Sequence, residues 1–239
     1  MKRLTLILFI CAATTMASAQ DYFGVQLGFA QPIARLNTPT NKTSLFSTSY
    51  NGFKVGLVYD ATIIKGFGVS LGVNYTFGAH STDWVKKETN QLPDHPKVRS
   101  NGQCHQLEIP VEWQYKFEIA KRTWIILYTG PTLQCGLSLT SNKFETDNYG
   151  KIKDDVISSD FYLIEDKNKA LKRINVTWGL GAGFQYDRYF LRGGYDFGLI
   201  NPYKASQFDY TDTNGGHPRT RGRFDQWQIK VGVYLWQSK

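Results

Sequence analysis

Long apolar runs are the main shortage in this chain of 239 residues. After Ala13 no stretch reaches the roughly 20 consecutive apolar residues that a membrane helix needs. A chain of this kind that crosses a bilayer therefore does so with strands closed into a barrel. Histidine is scarce, with four copies. His80, His95, His105 and His217 stand in no catalytic spacing, which leaves them as loop and strand-end residues rather than general bases. Cysteine is scarcer still, with three copies. Cys104 and His105 are neighbours, and on a strand they point to opposite faces and cannot chelate one ion. Neither a metal nor a cofactor is expected. The charges also lack concentration: 28 Lys and Arg oppose 20 Asp and Glu, but they are spread along the chain rather than gathered on the basic face of a nucleic-acid binder.

The first 19 residues carry a different message. Lys2 and Arg3 precede the apolar run Leu4 to Ala13, and Ala17-Ser18-Ala19 supplies small residues for cleavage, the pattern of a secretory signal peptide. Residues 1–19 are read as that signal and residues 20–239 as one barrel domain, with Gln20 first. Cys11 does not make a lipoprotein site, because Ile10 is too large for the preceding position and the apolar run is unfinished. Removing Lys2 and Arg3 leaves 26 basic against 20 acidic residues, a net charge of +6. Export removes nucleic acid as a partner and makes anionic lipid phosphates the better match for that charge.

Strict alternation dominates the chain from Tyr22 onward. Phe23, Val25, Leu27 and Phe29 face Gly24, Gln26 and Gly28, and seven further stretches repeat the pattern. They centre on Phe53–Tyr59, Phe67–Phe77, Leu107–Phe117, Ile125–Leu137, Val176–Phe184, Leu191–Leu199 and Trp227–Leu235, the fifth being the least regular. Stretches of about ten residues suit a tilted membrane strand, and an even number suits a bacterial single-chain barrel. The links alternate as well. Short ones lie near Thr62 to Lys65, Ile119 to Arg122 and Asp187 to Arg188. Long ones run from Pro32 to Gly52, Gly78 to Cys104, Ser138 to Ile174 and Ile200 to Arg223. The expectation is an all-β fold: an eight-stranded antiparallel transmembrane β-barrel, an up-and-down meander with short periplasmic turns and long extracellular loops.

A soluble, lipocalin-like barrel with its faces reversed has the same periodicity. Glycine decides against it, because Gly24, Gly28, Gly56, Gly68, Gly72, Gly130, Gly179, Gly181, Gly183, Gly194, Gly198 and Gly232 share the polar face, where they suit a narrow interior. Aromatic residues add two belts, with Tyr59, Phe67, Phe117, Trp124 and Trp236 at the turn ends and Phe29, Phe53, Phe77, Phe197 and Trp227 at the loop ends.

On that polar face lie Lys54, Asp60, Glu108, Glu112, Lys116, Arg192, Asp196 and Lys230, read as a buried lumen network of paired charges, since unpaired ones would be costly there. Glu108 and Glu112 are about 13 Å apart along one strand and cannot act as a close carboxylate pair. Lys172, Arg173, Arg219, Arg221 and Arg223 cluster where the outer rim is expected and are candidate contacts for lipid phosphates. The long third loop balances its charges and reads as a solvated segment suited to recognition. Cys104 and Cys135 lie at the outer ends of adjacent strands, but they fall on opposite faces, so a disulfide would need an intervening bulge. Two buried, unbridged cysteines are the expected state.

The sequence resembles the small outer-membrane barrels of Bacteroidetes, the PorT-like family. The likeness rests on Gln20 after the Ala-Ser-Ala site, Tyr22-Phe23-Gly24-Val25-Gln26-Leu27-Gly28, Leu127-Tyr128-Thr129-Gly130-Pro131, Trp178-Gly179-Leu180-Gly181-Ala182-Gly183 and Tyr195-Asp196-Phe197-Gly198-Leu199-Ile200-Asn201. It implies an integral outer-membrane protein and, through the family's named member, a secretion apparatus as one setting. A lipid A-modifying enzyme is the other alternative, and no residue set here supports it. The function expected is non-enzymatic: a plugged barrel with a structural or interaction role through its outer loops or rim. Its expected partners are outer-membrane lipid and lipopolysaccharide, the barrel-assembly machinery during biogenesis, and an envelope protein.

Overall fold

A computed structural model describes residues 20–37, 46–64, 66–86, 97–146, 152, 157–163, 171–203 and 221–238. The described residues form one antiparallel sheet. Its strands are β1 (Gln20–Asn37), β2 (Phe46–Ser49), β3 (Asn51–Ile64), β4 (Phe67–Ser81), β5 (Val85–Lys86), β6 (Lys97–Ala120), β7 (Thr123–Glu145), β8 (Ile157–Asp160), β9 (Ile174–Tyr186), β10 (Tyr189–Gly198) and β11 (Arg221–Gln237). Eight of these, β1, β3, β4, β6, β7, β9, β10 and β11, pair in chain order, and β11 pairs back onto β1 to close the ring. The closing ladder is long, running from Tyr22↔Gln237 to Asn37↔Arg221. The short strands β2, β5 and β8 add to β1, β6 and β7 beyond the ring.

Three tight turns join β3 to β4, β6 to β7 and β9 to β10, all at one end of the ring. They need left-handed backbone: Gly66 has φ 88°, Arg122 φ 61° and Asp187 φ 51°. Only at Gly66 is the angle met by a residue with no Cβ to strain. The opposite, loop end is more ordered than the sequence suggests. Pro32, Lys97–Cys104 and Ser138–Glu145 were expected in loops but belong to β1, β6 and β7. The reason is mutual pairing: the β6–β7 ladder continues from Cys104↔Leu139 to Val98↔Glu145, so both strands keep partners after leaving the barrel wall.

The fifth stretch is irregular because the β6–β7 register shifts between His105 and Gln106, with Leu137 as the extra residue. Above this bulge the parity of β7 inverts, turning Leu139 inward. A second interruption lies at Pro110, which faces the lumen and leaves the β4–β6 ladder broken opposite Gly72 and Val73. Proline has no N–H to offer that ladder.

The two faces are unambiguous. Leu27, Leu57, Leu133 and Val231 are exposed on the outside, Leu27 by 63%, whereas Lys54 is 1% exposed inside. This is the inverse of a soluble barrel. Tyr128 shows why the interior needs glycine: a Cβ at Gly194 would lie 2.6 Å from its hydroxyl, and one at Gly181 would strike its ring.

Leu57 lies mid-strand on the outward face, so Leu57→Arg is expected to cost about 2–4 kcal/mol in a lipid bilayer. Urea unfolding of the barrel in vesicles measures it, and an unchanged midpoint would contradict the outward assignment of this face.

Candidate functional site

Charged and amide side chains project into the interior of the ring. Four cationic residues, Lys54, Lys116, Arg192 and Lys230, and four acidic ones, Asp60, Glu108, Glu112 and Asp196, are all buried there. They sort into two levels. Toward the loop end, Lys54 donates to Glu108 at 2.5 Å and to Gln228 at 2.5 Å. Glu108 also accepts from Thr76 and Gln106, each at 2.7 Å, and from Gln226 at 3.2 Å. Gln228 passes the chain on, donating to Asp196 at 3.1 Å.

Toward the turn end, Arg192 is the hub. It reaches Asp60 at 2.5 Å, Ser70 at 3.0 Å, Gln114 at 3.1 Å and Tyr234 at 3.2 Å. Tyr234 donates to Asp60 at 2.5 Å, and Lys116 approaches the same carboxylate at 3.2 Å while donating to Gln185 at 3.1 Å. The Lys116 ammonium also sits over the rings of Tyr22 and Tyr234, at 4.6 and 5.4 Å. Glu112 lies between the levels, 3.9 Å from Arg192, and the Lys230 ammonium is 6.0 Å from the centre of the Tyr128 ring. Glu108 and Glu112 thus serve different clusters. The glutamines that link the charges were not singled out in the sequence, although Gln26, Gln106, Gln114, Gln134, Gln185, Gln226 and Gln228 all fall on the lumen parity.

Above the charges sits an aromatic cap invisible to periodicity. Ala34, Tyr50, Cys104, Leu139, Tyr162, Leu171 and Tyr203 form one buried cluster, with Phe161 and Phe224 against it. Burial pushes the phenols of Tyr50 and Tyr162 well above the ordinary tyrosine value, so both stay neutral. Beneath the cap remains a cavity of about 20 Å³, bordered by Gln106, Gln134 and Gln226, about the size of one water. Cys104 and Cys135 are both free thiols. Cys104 is buried in the cap opposite Leu139, but Cys135 is only partly buried and pairs with Leu107 on the outward face, so the expectation of two buried cysteines holds for one of them. The bulge lies at Leu137, beyond Cys135, and so does not turn that thiol inward.

The rim cations are dispersed rather than gathered. Arg173 donates to the carbonyls of Gly136 and Leu137, at 3.3 and 2.8 Å, which secures the bulge, and its guanidinium lies 5.4 Å from the Tyr162 ring. Lys172 reaches the carbonyl of Asn201 at 3.4 Å. Arg223 faces outward from β11 beside Arg35 of β1, its partner in register, and both contact Asp225. Arg35 was absent from the sequence-based set because Pro32 reads as the end of a strand. Arg219 and the side chain of Arg221 lie outside the described residues, as do His95, His217 and residues 1–19. The two described histidines are engaged: His105 shares a 2.6 Å hydrogen bond with Tyr75, and the His80 ring packs edge-on to Tyr50 at 6.1 Å.

A closed eight-stranded ring with an apolar exterior and a polar, charge-balanced interior is the architecture of an outer-membrane barrel. The family model for the outer membrane protein beta-barrel domain matches residues 18–203, and the chain belongs to that family. Membership places the protein in the outer membrane. No curated protein matches its sequence. Among solved structures it is similar to Ail, the attachment invasion locus protein of Yersinia pestis, in complex with the heparin analogue sucrose octasulfate. That match has 9% identity, covers 90% of this chain and 97% of Ail, and has a TM-score of 0.37. Neisserial surface protein A is similar at 15% identity, over 89% of this chain and 97% of its own, with a TM-score of 0.36.

The Lys54–Glu108 pair offers a direct measurement. Lys54→Met strands a buried carboxylate and is expected to cost about 3–5 kcal/mol, whereas Lys54→Met with Glu108→Gln, whose amide oxygen can still accept from Thr76 and Gln106, recovers a large part of the loss. A double-mutant cycle on urea midpoints reads the coupling, and additive losses would show that the pair is not coupled.

Proposed function

We propose that this protein is a plugged, non-enzymatic outer-membrane barrel that acts through its outer loops and rim, binding lipopolysaccharide and an envelope partner there. The observation that carries this reading is the filled lumen. Two hydrogen-bonded charge clusters lie under an aromatic cap, and the cavity beneath that cap is about 20 Å³, far below the 300–1,000 Å³ typical of ligand pockets. Larger spaces, about 330 Å³ beside Tyr50 and His80 and about 460 Å³ beside Gln20 and Trp124, lie at the two ends of the barrel. Eight strands enclose an interior that side chains can fill. Asp60 and Glu108 are committed to Lys116, Arg192 and Lys54, Glu112 lies 3.9 Å from Arg192 and Asp196 accepts from Gln228, which ties the lumen carboxylates into the internal network.

Recognition then falls to the outer surface. The long connections lie at the end opposite the tight turns, which in an outer-membrane barrel is the extracellular end. The reading includes export with cleavage of residues 1–19 and insertion by the barrel-assembly machinery. Within the family, the Gly-aromatic motifs around Tyr22, Leu127, Trp178 and Tyr195 favour the PorT-like group, and an envelope protein of a secretion apparatus is the corresponding partner.

Two measurements test the proposal. N-terminal sequencing of the protein from outer membranes is expected to begin at Gln20. Planar bilayers containing the folded barrel are expected to show no conductance steps, and steady open-channel steps would overturn the plugged-lumen reading.

A further inference from the structure

The outward face of the β1–β11 seam carries a feature that the lumen does not explain. Asp225 has the parity of the lipid-facing residues Trp227 and Ile229, yet its side chain is 0% exposed. It is covered from above by two arginines. Arg35 Nε lies 2.8 Å and Arg223 Nε 3.0 Å from the same oxygen, Oδ2, while the two guanidinium side chains remain 45% and 49% exposed. Neither contact is aligned as a linear hydrogen bond. The other oxygen, Oδ1, accepts the Gly198 backbone N–H at 3.0 Å, which ties the carboxylate to β10. Arg35 Nη2 approaches the Tyr195 hydroxyl at 3.5 Å, too far for a strong bond.

We propose that Arg35 and Arg223, held side by side by the buried Asp225, form a clamp for the phosphate group of an outer-leaflet glycolipid on the outer wall of the barrel. The inference rests on the reading that the loop end lies in the outer leaflet. Two guanidinium groups against one carboxylate leave a net charge of +1, which an arriving anion completes. Their Cα atoms are partners in register, so both side chains leave the wall at one level. The planar fork of arginine matches phosphate oxygens, and holding the pair in place beforehand reduces the ordering cost of binding. Asp225 touches no ligand in this arrangement and is a positioning residue.

Location selects a lipid over a free anion. Below the clamp on the same face, Phe29 and Trp227 pack at 5.1 Å, and the Trp227 indole N–H donates to Gln31, the first outward polar residue of β1 above the belt. Arg35 is four residues further along, about 13 Å of strand, which is headgroup depth above an aromatic belt. The clamp opens sideways from the wall, toward neighbouring lipids, and not toward the aromatic cap.

The test uses the purified, folded full barrel in detergent micelles, with its heat-dependent gel shift as the check on folding. Binding is measured to bis-phosphorylated lipid A and to lipid A stripped of phosphate. Wild type is expected to prefer the phosphorylated form. Arg35→Gln with Arg223→Gln is expected to lose that preference by about tenfold or more, the worth of one to two charge-assisted bonds. Arg35→Lys with Arg223→Lys keeps the charge and removes the fork, so a substantial part of the loss is expected there too. If wild type shows no preference, the rim reading and the clamp both fall. If wild type shows it and the glutamine pair retains it, the clamp alone falls; where that pair does not fold, full preference in the lysine pair has the same meaning. Competition by inorganic phosphate at concentrations equal to the lipid would overturn the lipid assignment.

Discussion

Backbone hydrogen bonding without water is the constraint on which everything else depends. In the hydrocarbon layer an unpaired N–H or C=O costs several kcal/mol, so the sheet cannot end, and β11 must return to β1. The seam does so over the whole height of the wall, from Tyr22↔Gln237 to Asn37↔Arg221, with one irregularity between Phe23 and Gly24. Closure with eight strands fixes the interior width. The outward face is then surrendered largely to Val, Leu, Ile and aromatic residues, and most polar groups are confined to a narrow lumen or to the ends of the strands.

The narrow lumen explains the company its charges keep. An isolated ion there would be strongly destabilising, and a salt bridge is tolerated when the remaining donors and acceptors are also matched. Four positive and four negative side chains meet this condition unevenly. Asp60 and Glu108 each collect several partners, whereas Asp196 depends on Gln228, which itself binds Lys54. Neutral amides are therefore as important as the ions, since Gln106, Gln114, Gln185, Gln226 and Gln228 turn separated charges into two connected clusters. Glycine has the complementary task. Gly181, the register partner of Tyr128 on β9, and Gly194 on β10 make the space that the Tyr128 ring occupies, so the aromatic side chain can lie flat along the two neighbouring strands.

The legible part of this structure was whatever repeats with period two. Strand number, the inward set from Lys54 to Lys230 and the outward set from Phe23 to Leu235 follow from alternation alone, because one face meets lipid and the other does not. Three features broke that rule. The bulge at Leu137 inverts the parity of β7, so Leu139 enters the cap although Leu137 faces outward. Tyr50, Tyr162 and Tyr203 belong to segments without periodicity, and only the closed ring below brings them together over its mouth. Arg35 lies beyond Pro32, a residue that usually ends a ladder, yet β1 continues because β2 and β11 both supply partners to Ile33–Leu36. Had alternation been extended through the proline, Arg35 would have fallen on the outward face with Phe29.

Charge balance inside the barrel also decides where the rest of the molecule can act. The lumen holds four cationic and four acidic residues, so the basic surplus of the chain does not come from its described interior. A hydrogen-bonded interior with four cationic and four acidic residues contributes little net field to draw a ligand inward. On the wall the arithmetic differs. Asp225 is a single carboxylate beneath two guanidinium groups, buried at a depth where an uncompensated negative charge would be costly and placed where a second carboxylate would have neutralised the site. The seam that closes the sheet thus also aligns Arg35 with Arg223, and the closure that lipid demands creates the one level of the described wall where two cations share a single anion.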